Sequence, residues 1–94
     1  MVQKVVNNKI SNRFEITVDG QTGYLEYNQY KGGMDLRHTF VPEKIGGRGI
    51  AAQLVRYALE YARANGLKIK ATCSYVKVFL ERNLTEFADI EEID

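Results

Sequence analysis

Between Arg13 and Val41 apolar and polar residues alternate in three runs, each separated from the next by a glycine-bearing turn. In the first, residues 13–19, Phe14, Ile16 and Val18 take one side while Arg13, Glu15 and Thr17 take the other. A period of two is that of a half-buried strand. Asp19-Gly20 then reads as the tight turn of a hairpin. Residues 22–30 alternate again, and Lys31-Gly32-Gly33 supplies a second turn. Residues 34–41 make a third strand, predicted to place Met34, Leu36, His38 and Phe40 on one face. The segment VVNNK near the start reads either as a short edge strand or as the turn before the first strand. These runs predict an antiparallel meander.

Pro42 ends that pattern, because proline has no N–H for a sheet ladder. Beyond it the spacing becomes helical, with Ile50, Ala51, Leu54, Val55, Ala58 and Ala62 forming one apolar stripe. Asn65-Gly66 is a stop signal, since glycine takes the left-handed position at little cost. Residues 67–73 alternate once more, with Leu67, Ile69, Ala71 and Cys73 facing one way. Ser74 is expected to cap a short helix that buries Val76, Phe79 and Leu80. Leu84, Phe87 and Ile90 are expected to pack as a final turn, and the last acids to be loose. The order is β-β-β-α-β-α, an α+β fold. Its helical crossover makes the third and fourth long strands parallel neighbours.

A chain of 94 residues has room for one domain over 1–94, with a single modest core. No apolar run approaches the roughly 20 residues that span a bilayer, and the N-terminal segment lacks the features of a signal peptide. The one cysteine cannot form an internal disulfide. The expectation is therefore a cytoplasmic protein with no membrane partner. A net charge of +1 gives no reason to expect a nucleic-acid partner. The distribution is less even: residues 42–82 hold eight basic and three acidic side chains, whereas residues 83–94 hold five acids and no base. That pattern fits an ordinary solvated surface with an acidic tail, or a glycine-rich half tuned to an anionic ligand.

The glycines favour the second of these. Gly46, Gly47 and Gly49 stand where the long helix must begin, a place that a serine or aspartate cap usually takes. A helix N-terminus presents unpaired N–H groups and a partial positive charge, and glycine lets a phosphate approach that backbone. The plainer alternative is a turn with no ligand. The mononucleotide loop G-x-x-x-x-G-K-[ST] is absent. Gly47, Gly49 and Ala52 match the dinucleotide fingerprint formally, but the acid expected about 20 residues on is replaced by Ala71-Thr72-Cys73. The preceding meander also departs from that fold, so the dinucleotide reading is set aside.

Residues 46–51, GGRGIA, resemble the acyl-coenzyme A motif [QR]-x-x-G-x-[GA] of the GNAT acetyltransferase superfamily. Gly49 and Ala51 hold its two small positions, and Gly46 stands where Gln or Arg is usual. The resemblance is closer to a group of very small GNAT-like proteins with an H-T-x-V-P segment, an R-G-x-G-I-A turn and a C-S-Y-V segment. His38, Thr39, Val41, Pro42, Gly47, Gly49, Ile50, Ala51, Cys73, Ser74, Tyr75 and Val76 match in order and spacing, within a likeness covering about residues 13–90.

That resemblance implies a minimal GNAT fold with acetyl-CoA, or coenzyme A, as cosubstrate and no metal. It places the pyrophosphate on the N–H groups of Gly47, Arg48, Gly49, Ile50 and Ala51, within a turn that includes Gly46, with charge added by Lys44 or Arg48. The pantetheine arm would run between strands ending at Val41 and Cys73, and the thioester would lie near His38, Thr39 and Phe40 and near Cys73, Ser74 and Tyr75. His38 is a candidate general base, or else a hydrogen-bonded core histidine. Cys73 is a candidate acetyl carrier, or else a small buried hydrophobe. Tyr75 is a candidate proton donor, because the position of the usual tyrosine acid holds Phe79 or Leu80. Compared with a full GNAT domain, the chain lacks the helices after the first strand and the final strand pair. A small amine, a polyamine or a protein lysine would each serve as acceptor. A monomer is expected, with a dimer left open. Two functions follow: an N-acetyltransferase, or a non-catalytic coenzyme A or acyl-coenzyme A binding module acting through a protein partner.

Overall fold

In a computed structural model, which describes residues 4–92, the alternating runs form strands, the last of them ending at Ala71 and not at Cys73 as expected. A short edge strand β1 (Val6–Asn8) precedes β2 (Arg13–Val18), β3 (Gln21–Tyr30) and β4 (Gly33–Phe40). The crossover helix α1 (Ile50–Ala64) leads to β5 (Lys68–Ala71), and α2 (Ser74–Arg82) and α3 (Leu84–Phe87) follow. The sheet order is β1-β2-β3-β4-β5, antiparallel throughout except for the parallel β4–β5 pair.

The period of two decides which side of the sheet is covered. Phe14, Ile16, Leu25, Tyr27, Met34, Leu36 and Ile69 are buried and meet Leu54, Val55, Ala58, Leu59 and Ala62 of α1 in one core. Phe14 anchors the contact, its ring centroid 5.6 Å from that of Tyr57 and 5.4 Å from that of Tyr61. From α2 and α3, Val76, Leu80 and Phe87 join the same core. The intervening positions, Arg13, Glu15, Thr17, Tyr24 and Glu26, take the opposite face. No helix among the described residues is long and apolar enough to cross a membrane.

One strand departs from its sequence pattern. The β3–β4 register shifts between Glu26 and Tyr27: Tyr27 opposes Leu36, but Glu26 opposes His38, so Arg37 is an extra residue on β4. Such a bulge reverses the side on which later side chains fall. Met34 and Leu36 are fully buried, whereas His38 is exposed and Phe40 is 46% exposed. Met34, Leu36, His38 and Phe40 therefore do not share a face, and His38 is not a core histidine. His38 and Phe40 instead stand beside Tyr24, at ring-centroid distances of 6.2 and 5.5 Å. Thr39 takes the core side in their place.

The C-terminal segment also differs from expectation. Cys73, not Ser74, is the N-cap of α2. Phe87 and Ile90 are buried, but Leu84 is exposed. The acids are not loose. Glu86 pairs with Arg56 at 2.6 Å, Asp89 pairs with Arg63 at 2.9 Å, and the Tyr30 hydroxyl donates to Glu92 at 3.1 Å. Backbone bonds from Ile69 N–H to Ile90 O and from Glu92 N–H to Ile69 O lay the tail along the outer edge of β5. Asp94 lies outside the described residues.

Candidate active site

After Pro42 a 3-10 turn (Glu43–Ile45) buries Ile45 and redirects the chain into the glycines. Gly47 and Gly49 have φ of 73° and 74°, and a Cβ at either would meet nothing within 4 Å. Backbone conformation, then, and not lack of space, calls for glycine there. Gly46 is different. It is extended (φ −67°, ψ 159°), its N–H donates to Glu43 O, and a Cβ would come within 3.2 Å of that oxygen. Gly46 is accounted for by the turn it closes, so the three glycines do not share one reason.

Gly49 is the N-cap of α1 and has no side chain with which to cap it. The N–H groups of the first helical turn are thus left to an acceptor from elsewhere. Gly23 lies against that turn: a Cβ there would come within 3.3 Å of both Ile50 Cγ2 and Phe40 O, so glycine eases the close approach of the helix start to β3. Arg48 reaches back from the loop to Asp19 in the β2–β3 turn, with an N–O separation of 3.0 Å. Lys44 is exposed.

Beside this loop the sheet divides. β4 pairs with β5 only from Gly33–Lys68 to Leu36–Ala71, and then continues to Phe40 without it. Thr72 and Cys73 both donate their N–H to Leu36 O, at 3.1 and 2.9 Å, and the chain turns away into α2. This is a fork with β4 on one side and the start of α2 on the other.

Cys73 and Thr39 face each other across the fork, with Sγ 3.4 Å from Oγ1. The cysteine is 8% exposed. Burial pushes its thiol pKa up, but the Thr39 hydroxyl and the N–H groups of Val76, Tyr75 and Thr39 outweigh that effect and hold it below the ordinary thiol value. A thiol at a helix N-terminus with donors aimed at it is favoured as thiolate.

The sequence-predicted residues thus fall into three groups. Gly47, Arg48, Gly49, Ile50 and Ala51 form the helix start. Thr39 and Cys73 meet in the fork, and Val41 is half-buried at the strand's exit. His38 and Phe40 point to the opposite sheet face, while Ser74 and Tyr75 are exposed on the first turn of α2. No ring or hydrogen-bond contact joins His38 to Cys73 among the described residues. Phe79 packs partly buried against Phe87, its ring 6.2 Å away, and carries no proton to give. A groove of about 440 Å³ lies apart from the fork, between the outer edge of β5 and α2, lined by Lys70, Lys77, Leu80, Glu81 and Leu84 among others. Sequence reading missed two contacts at the site. These are Asp19 on Arg48 and Asp35 on Thr72, both between residues far apart in sequence.

A family model described as GCN5-related N-acetyl-transferase matches residues 13–90. Protein NATD1 of Danio rerio is 34% identical over 83 residues, which cover 85% of this chain and 76% of that protein. Protein NATD1 of Bos taurus is 40% identical over 50 residues, 53% of this chain, and that match spans less than half (44%) of the relative's length. The solution structure of a GCN5-like protein from Staphylococcus aureus superposes with a TM-score of 0.74 at 28% identity, covering 96% of this chain and 88% of that one. The parallel β4–β5 fork, the uncapped crossover helix and these matches agree: the chain belongs to the GCN5-related N-acetyltransferase family.

Proposed function

We propose that the protein binds acetyl-CoA at the start of α1 and transfers the acetyl group to an amine. One observation carries this reading. α1 opens on two left-handed glycines in open space, with no capping side chain, beside a sheet that forks. Such a terminus suits the pyrophosphate of coenzyme A, held by the N–H groups of Gly47 to Ala51 and by Arg48 once it exchanges Asp19 for phosphate. A thioester reaching the fork would lie among Thr39, Phe40 and Val41 on one side and Cys73, Ser74 and Tyr75 on the other. Lys44 adds positive charge at the entrance, and Gly46 shapes the turn.

Transfer needs a deprotonated amine and a proton for the departing thiolate. His38, exposed on the opposite sheet face, serves as base for an acceptor arriving from that side. Tyr75, exposed on the first turn of α2, supplies a proton. Cys73, with its depressed pKa, either accepts the acetyl group first or donates a hydrogen bond at the thioester. One observation favours the alternative, a non-catalytic coenzyme A binding module acting through a protein partner: the helix after β5 presents Phe79 and Leu80, buried or partly so, where a tyrosine acid is usual.

Calorimetry with acetyl-CoA and with free coenzyme A separates these readings from none. The expected result is saturable binding of both, with Gly49→Trp, verified as folded by circular dichroism, binding neither. Absence of binding by the unaltered protein refutes both functions. Binding without acetyl loss to polyamines or lysine peptides leaves the module reading in force. An acetyl adduct on Cys73, read by mass spectrometry, supports the covalent route, and its absence together with an active Cys73→Ala variant excludes it.

A further inference from the structure

Asp35 is the one charged residue buried among the described residues, at 8% exposure. It sits on the sheet face away from the helices, at the last pairs before the fork opens. The Thr72 hydroxyl donates to its Oδ1 at 2.7 Å, the Arg37 guanidinium stands 3.4 Å from its Oδ2, and Lys70 opposes it in the β4–β5 register. Each neighbour has a place in the fork: Arg37 is the bulge residue that turns His38 outward, and Thr72 directly precedes Cys73. A buried carboxylate is a poor source of stability, since apolar residues of similar shape usually serve as well or better. Its value lies in direction. With Thr72 and Cys73 N–H both on Leu36 O, three hydrogen bonds from residues 72 and 73 converge on residues 35 and 36.

We infer that Asp35 and Thr72 form a clasp that fixes the point at which the chain leaves β5, and thereby positions the Cys73 sulfur against Thr39. Both are positioning residues. The Thr72 hydroxyl, tied to a buried carboxylate, prevents the pair from zipping one residue further or opening one residue earlier. Either slip would take the sulfur away from Thr39 and from the N–H groups of Tyr75 and Val76. The catalytic consequence rests on the proposed role of Cys73 at the acyl site; the positioning itself does not involve coenzyme A.

Alkylation of the single thiol by iodoacetamide, followed by mass spectrometry across pH in the ligand-free protein, tests this. The other titratable or charged groups nearby are Asp35, Arg37, His38 and Lys70 on the sheet and Tyr75 and Lys77 on α2, none of which changes in Thr72→Val. That variant replaces an exposed side chain with one of the same shape and no hydroxyl. The midpoint of its alkylation profile is expected to rise by roughly half a pH unit, the scale of one modest hydrogen bond. Thr72→Ser is expected to restore it. Asp35→Asn, which keeps an acceptor for the Thr72 hydroxyl, stays near wild type, whereas Asp35→Ala, if folded, follows Thr72→Val. A purely structural role would lower the melting temperature and leave the midpoint in place. A wild-type midpoint in Thr72→Val overturns the clasp whether or not the protein binds acetyl-CoA. A shifted midpoint in a protein that binds no coenzyme A refutes the proposed function and leaves the clasp standing.

Discussion

Two helices begin beside the fork, and they begin in opposite ways. α1 starts in solvent on Gly49, a residue with no side chain, in a left-handed conformation that leaves its first-turn donors open. α2 starts in the interior on Cys73, whose sulfur is held by Thr39 and faced by the N–H groups of its own first turn. The first leaves its donors open to solvent; the second turns its donors toward a thiol. The same physical resource, an N-terminal turn of unpaired N–H groups, is left open in one helix and lowers a thiol pKa in the other.

The sharpest way to break this contrast is to spoil the left-handed start of α1. Gly49→Val forces a β-branched residue into the left-handed region and is expected to destabilise the fold by about 1–3 kcal/mol. It is also expected to abolish the rise in melting temperature on adding acetyl-CoA. Denaturant unfolding and thermal shift read the two effects separately.

The thiol side is probed by pH. The folded-state pKa of Cys73 lies below its ordinary value of 9.0, so the thiolate is favoured in the folded state. Relative to Cys73→Ala, the reduced protein is therefore expected to gain stability as pH rises through the folded pKa, with the gain complete above the ordinary value and lost again on lowering the pH. Melting curves of the two proteins should diverge toward alkaline pH. Thr39→Val should narrow that divergence.

Smallest is the effect of charge around the loop. Arg48 and Asp19 form an exposed pair, which contributes about 0–1 kcal/mol at most. Asp19→Asn should leave stability nearly unchanged while tightening coenzyme A binding modestly at low salt, because Arg48 is released. Arg48→Gln should weaken binding in a way that disappears at high salt. Calorimetry at two ionic strengths distinguishes these outcomes.

Much of this was legible in the chain. Asp19-Gly20, the alternation of the first two long strands and the helical stripe from Ile50 to Ala62 each express a local rule, and each formed as its pattern predicted. Leu59, buried in the same core, completes the stripe. The bulge at Arg37 was not legible, because it is a register event settled by which residues of β3 and β4 meet. The pattern Met34-x-Leu36-x-His38-x-Phe40 is a flawless strand by its own alternation. Long-range pairing also decided the tail: its acids read as loose because their partners, Arg56, Arg63 and Tyr30, lie far away in sequence. At the site, the glycines revealed the helix start and Cys73 stood out by being alone. The Asp35–Thr72 contact depends on strands distant in sequence and could not be read from either residue.

The sheet order follows the chain order, and this bears on the path of folding. Each neighbouring pair from β1 to β4 closes through a short turn, so these pairings cost little chain entropy. Only β5 must wait for the whole crossover helix to form and return. The fork is completed by that last closure, the one of longest sequence separation in the sheet. If the proposed acetyl-CoA binds at the fork, it would stabilise contacts of late closure, and so slow unfolding more than it speeds folding.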